Sequence, residues 1–165
     1  MSEPEPLDLE SLTVADLRAQ GRCAPPIVVR EDASFVDVVR ALSARPQVRT
    51  VAVQNGAGAL AGIVGADKIG EALFIDLVPG AALGEVTSLM SVITVGDTIS
   101  HLTAGDFMDP PAQVGLHDSV HDAFVAIHRS NQAGLPVVDD SGDVVAYLDE
   151  LSLAALWEAQ VLRSS

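Results

Sequence analysis

The chain has one cysteine, Cys23, so no disulfide can close within it and it cannot supply a thiolate metal site. Basic side chains are also scarce, with nine Lys and Arg against 23 Asp and Glu and a formal charge of -14. Nucleic acid and anionic membrane surfaces both require clustered cations, so neither is an expected partner. The aromatic residues are four Phe, one Trp and one Tyr, which leaves Val, Leu, Ile and Ala to do the packing. No apolar run approaches the roughly 18 residues of a membrane span. The opening MSEPEPLDLE is acidic where a secretory leader is basic, so the cytoplasm is the expected location.

Chemistry-bearing motifs are missing as well. There is no Gly-x-x-x-x-Gly-Lys phosphate loop, no Gly-x-Ser-x-Gly elbow and no Cys-x-x-Cys pair, and the chain is not expected to be an enzyme. Of the histidines His101, His117, His121 and His128, the last two share a helical face. They stand two turns apart, roughly 10 Å, with Val125 between them, so no metal site is expected. Asp139 and Asp140 are adjacent in a turn and read as turn formers rather than an acid/base pair.

What the chain does contain is a repeat. Leu135 to Val138 is a short β-branched run, Asp139 to Gly142 carries turn chemistry, and Val144 to Leu148 is a second apolar run, followed by a helix from about Ser152. Val51 to Val53, Gly58, and Ala61 to Val64 reproduce that order at one constant offset. Upstream, Ser119 with Asp122 and Ser34 with Asp37 are matching capping pairs. Behind them run apolar stripes at i, i+3, i+4 and i+7: Val120, Ala123, Phe124 and Ile127 in one copy, and Phe35, Val38, Val39 and Leu42 in the other. Thr13 with Asp16 and Thr103 with Asp106 start matching helices, and Pro25-Pro26 answers Pro110-Pro111. The expected organisation is a flexible acidic tail over 1–12, a first repeat over 13–70, a packed apolar segment over 71–102 and a second repeat over 103–161. Gly70 interrupts a helix, which suggests a crossing or a kink there.

The ordered set resembles a cystathionine-beta-synthase-type (CBS) domain pair. The resemblance rests on Phe107-Met108-Asp109-Pro110, on Ala133-Gly134-Leu135-Pro136-Val137-Val138 followed by Gly142, and on the third-strand ends Gly62-Ile63-Val64-Gly65 and Ala146-Tyr147-Leu148-Asp149. It implies an α/β (α+β) fold of two pseudo-symmetric β-α-β-β-α repeats, with sheets packed together and helices outside. It also implies a non-catalytic regulatory module with an adenosine-type ligand, AMP, ATP or S-adenosylmethionine, in the cleft between repeats. A ligand-free interaction scaffold is the alternative.

On the family's pattern the ligand positions are Pro26, Ile27, Thr50, Ala52 and Lys68 in one copy, and Gly134, Pro136, Asp149 and Ser152 in the other. The family's strand-end pair of a hydroxyl residue and an acid three positions later is kept by neither copy. The first has Gly65 and Lys68, the second Asp149 and Ser152. Lys68 has no acceptor for a ribose diol, and Asp149 puts negative charge where a phosphate is expected. Asp149 also reads as the cap of the last helix, with Ser152 in its first turn. A homodimer, and an unidentified protein partner, are expected from the resemblance and from apolar residues outside the core stripes, among them Val36, Ala41, Val125 and Trp157.

Overall fold

The computed structural model describes residues 8–77 and 99–163. Leu7 and most of the segment 71–102 lie outside the described residues. The chain divides into two compact units, Ile27–Pro111 and Met1–Pro26 with Ala112–Ser165, each built on a three-stranded sheet.

In the first unit β1 (Val28–Arg30) runs parallel to β2 (Thr50–Gln54), which pairs antiparallel with β3 (Leu60–Gly65). The helix α2 (Phe35–Ala44) connects β1 to β2, and α3 (Ala66–Leu77) follows β3 directly. Ser34 caps α2 by accepting from the Asp37 N–H, and Phe35, Val38 and Leu42 are its buried face. The hairpin turns on Asn55, whose side-chain oxygen accepts from the N–H groups of Ala57 and Ala59 while Gly58 takes the positive φ of 81°. A short 3-10 turn, Ile99–His101, leads to α4 (Ala104–Phe107), and the Phe107 ring stands 5.4 Å from that of Phe35.

The second unit repeats the plan with β4 (Val114–Gly115), α5 (Val120–Ser130), β5 (Gly134–Val138), β6 (Val144–Asp149) and α6 (Glu150–Arg163). Its hairpin turns on Asp139, which accepts from Ser141 and Asp143, with Gly142 at φ 83°. Both central strands carry a register shift near their end, between Val53 and Gln54 and between Val137 and Val138. The structure therefore contains tandem β-α-β-β-α repeats.

The compact units cut across the sequence repeats. The helix α1 (Val14–Ala19) belongs with the second sheet: Val14 and Ala15 donate to the carbonyls of Asp118 and Leu116, and Thr13 bridges Ser119. Ala24 then adds to the edge of β6 through two hydrogen bonds with Tyr147. The other half mirrors this: Thr103 bridges Ser34, and Asp109 makes two hydrogen bonds with Ile63 on the edge of β3. Each repeat thus lends its leading helix and lead-in residue to the sheet of the other.

Some details differ from the sequence reading. Phe124, placed in the core stripe of α5, is 51% exposed. The buried face is limited to Val120, Ala123 and Ile127, and Phe124 lies at the edge of that arc, as half-buried Val39 does on α2. Residues 8–12, assigned to a flexible tail, form a turn whose carbonyls at Leu9 and Leu12 accept from His121 and Val120, the first N–H groups of α5. Gly70 is exposed, and a Cβ placed on it meets nothing within 4 Å, so no described element crosses α3 there. The last helix starts at Glu150, two residues before Ser152.

Candidate functional site

The third-strand ends are where the candidate side chains gather. In the first unit Thr50 opens β2 opposite Gly65 and is the buried polar residue of the core among the described residues, at 2% exposure. The Ala52 N–H donates to the Ile27 carbonyl at 2.9 Å, so that donor is already used within the sheet. Lys68 sits in the first turn of α3, its side chain only 17% exposed. Its Nζ is 2.6 Å from Oδ1 of Asp109, whose own side chain is 39% exposed. Asp109 is held there by its two backbone bonds to Ile63, next to Met108, which packs on Gly62. The only cation expected at a strand end therefore already has an internal counter-ion.

In the second unit Gly134 and Pro136 are buried in the central strand, opposite Asp149 and Tyr147 respectively. The Tyr147 hydroxyl lies against Gly134 and donates to Oδ2 of Asp149 at 3.3 Å. The other carboxylate oxygen of Asp149 accepts from the Leu151 N–H at 2.7 Å, which satisfies a free donor at the start of α6. Asp149 thus caps the helix, and half-buried Ser152 lies in the first turn. Pro26, half-buried, falls in this unit and Ile27 in the other.

Two residues absent from the candidate set, Asp109 and Tyr147, determine the chemistry of these strand ends. Asp109 stood in the lead-in motif, but a pairing across 41 residues has no local signal. Tyr147 is the only tyrosine of the chain and replaces the aliphatic Ile63 of the other copy, which was the available signal.

Elsewhere, hydrogen bonds from Thr13 to Asp16 and from Ser34 to Asp37 hold both carboxyls below the ordinary 3.8, and burial pushes the Cys23 thiol up. His117 pairs with Asp140 at 3.1 Å, both exposed. Among the described residues no group of three or more His, Cys, Asp or Glu is placed to hold a metal, and no helix is long and apolar enough to cross a membrane. A cavity of about 230 Å³ in the first unit is lined by Val39, Leu42, Pro46, Val48 and Ile69 among others, and includes none of the candidate residues.

Residues 104–155 match the CBS domain family. No curated protein sequence matches the chain. Among solved structures it is similar to a CBS domain-containing protein from Thermotoga maritima, at 23% identity over 89% of this chain and 95% of that one, with a TM-score of 0.67. It is similar to CBSX2 in complex with AMP, at 22% identity over 90% and 99% of the two chains and a TM-score of 0.62. It is also similar to the CBS domain pair of protein MJ0100 in complex with 5'-methylthioadenosine and S-adenosyl-L-methionine, at 19% identity over 90% and 97%, with a TM-score of 0.61. Residues 104–155 thus match the CBS domain family in sequence, and the chain as a whole shares the fold of these CBS-domain structures.

Proposed function

We propose that the chain is a non-catalytic regulatory module that takes an adenosine-type ligand and passes its occupancy to a partner protein or through a homodimer. One observation carries the reading: the chain shares its fold with CBSX2, solved with AMP, and with the MJ0100 pair, solved with methylthioadenosine and S-adenosylmethionine. The contacts are assigned to Pro26, Ile27, Thr50, Ala52 and Lys68 from one repeat and Gly134, Pro136, Asp149 and Ser152 from the other. A cytoplasmic setting fits the single, half-buried cysteine.

The test is calorimetric titration of AMP, ATP with magnesium, S-adenosylmethionine and adenosine, combined with thermal melts. A ligand that prefers the native state raises the melting midpoint as its concentration rises. No heat and no shift with any of the four at millimolar concentration would overturn the ligand reading.

A second reading, a ligand-free scaffold, is favoured by the internal partners that Lys68 and Asp149 have already taken. In either reading we assign the dimer surface to α6. On that helix Leu151 and Leu162 are exposed opposite buried Leu153 and Leu156, and Trp157 and Val161 are exposed on the flank of the buried face.

A further inference from the structure

We infer that the Lys68–Asp109 ion pair makes the strand end of the first unit reject phosphate, so that the ligand class there is a nucleoside, or a nucleoside with a neutral or cationic tail. The inference deepens the adenosine reading and rests on it for the base-bearing part of the ligand only.

The geometry leaves an anion little to gain. Lys68 Nζ already has a carboxylate oxygen at 2.6 Å, and the Lys68 stem is largely covered, so the ammonium cannot swing far to a second partner. The backbone of Asp109 is fixed as well, because its N–H and C=O are both bonded to Ile63, which keeps its carboxylate within reach of Lys68. A phosphate brought to Lys68 must therefore displace a tethered carboxylate or lie beside it, with like charges a few ångströms apart. The chain's charge of -14 adds long-range repulsion in the same direction.

A comparison with the second unit shows that the pair is a local feature of one unit. Matching positions are fixed by the two edge bridges, Asp109 with Ile63 and Ala24 with Tyr147. At the place of Asp109 the second unit has Ala24, and at the place of Lys68, three residues past the strand end, it has Ser152. Both members of the charge pair are thus replaced by small neutral residues. A cation alone would make the first strand end attract anions, whereas the cation with its counter-ion presents a neutralised, hydrogen-bonded wall.

The experiment titrates adenosine, AMP and inorganic pyrophosphate, without magnesium, into wild type, Asp109→Asn and Asp109→Asn/Lys68→Met. Circular dichroism melts check the fold. If the Asn variant does not fold, Asp109→Ala, the residue type found at position 24, takes its place. Wild type is expected to bind AMP no tighter than adenosine. Removing the carboxylate charge should raise the ratio of AMP to adenosine affinity at least tenfold and strengthen pyrophosphate binding likewise, and adding Lys68→Met should abolish both gains. The inference is overturned if wild type prefers AMP more than threefold, if the single variant moves the ratio less than threefold, or if the gain survives loss of Lys68. Should neither adenosine nor AMP bind any variant, the adenosine reading itself fails. Pyrophosphate then decides the phosphate exclusion alone: a gain above threefold that needs Lys68 sustains it, and anything less overturns it.

Discussion

Three glycine-to-alanine variants test the packing around both strand ends, because the same substitution should change sign with its surroundings. A Cβ on Gly134 would stand 2.5 Å from the backbone oxygen of Leu148 and the Cζ of Tyr147, which is fully buried. A Cβ on Gly62 would stand 2.6 Å from the Asp109 carbonyl oxygen and 2.5 Å from the Met108 sulfur. Real contacts of that kind lie beyond 3 Å, so strands must part or an edge bridge must open. Overpacking of this sort costs about 1–3 kcal/mol. Gly134→Ala belongs at the upper end, about 3 kcal/mol, since one obstacle is backbone and the other an anchored ring. For a chain of this size that lowers Tm by about 6–12 °C. Gly62→Ala should cost less, about 2 kcal/mol, because the methionine side chain can shift while the carbonyl cannot. Gly70→Ala meets nothing and replaces glycine in a helix interior, so it should stabilise by about 0.5–1 kcal/mol. Urea titrations and thermal melts of the three variants measure the order. A Gly134→Ala variant within 0.5 kcal/mol of wild type would refute the reasoning, as would a destabilised Gly70→Ala. Tyr147→Phe provides a cross-check: it removes the hydroxyl that crowds Gly134, so the double variant should lose less stability than the two single losses added.

Ser34→Ala and Ser119→Ala each remove a side chain that accepts from the third N–H of its helix and should cost about 1 kcal/mol, read as a lowered urea midpoint at unchanged slope. Asp16 and Asp37 are held below 3.8 by hydrogen bonds within the fold, so the stability they supply is present above that value and lost as pH falls through their lower folded-state values. The deficit of an Asp16→Ala/Asp37→Ala variant against wild type should therefore be full at neutral pH and close as pH drops below 3.8; a deficit unchanged in acid would contradict the cause assigned. Trp157 is 67% exposed and the chain's only tryptophan, so dimerisation through α6 should shift its fluorescence to the blue with rising concentration. Sedimentation should give a dimer for wild type and a monomer for Trp157→Glu; only the 17.1 kDa species for wild type at micromolar concentration would rule the surface out.

Much of this architecture was legible in the sequence because it depends on neighbours along the chain. Ser34 and Ser119 meet donors three residues on, Asn55 and Asp139 fold their turns through bonds spanning two and four residues, and Gly58 and Gly142 supply the positive φ. Such interactions need no tertiary partner, so their spacing alone revealed the twofold repeat, while the CBS-pair fold was implied by the resemblance of its motifs to that family. The candidate site was less legible, since its character depends on pairings over long separations. That Asp109 neutralises Lys68 follows from an edge bridge to Ile63, and that Tyr147 crowds Gly134 follows from the register of β5 on β6, whereas the Asp149 cap is a local bond to Leu151 that the sequence already indicated. The exchange of α1 and α4 between the repeats, and the exposure of Phe124, likewise arise from which surface buries a given face. Helical periodicity identifies a stripe, but only the packing partner decides how wide that stripe is and which sheet it covers.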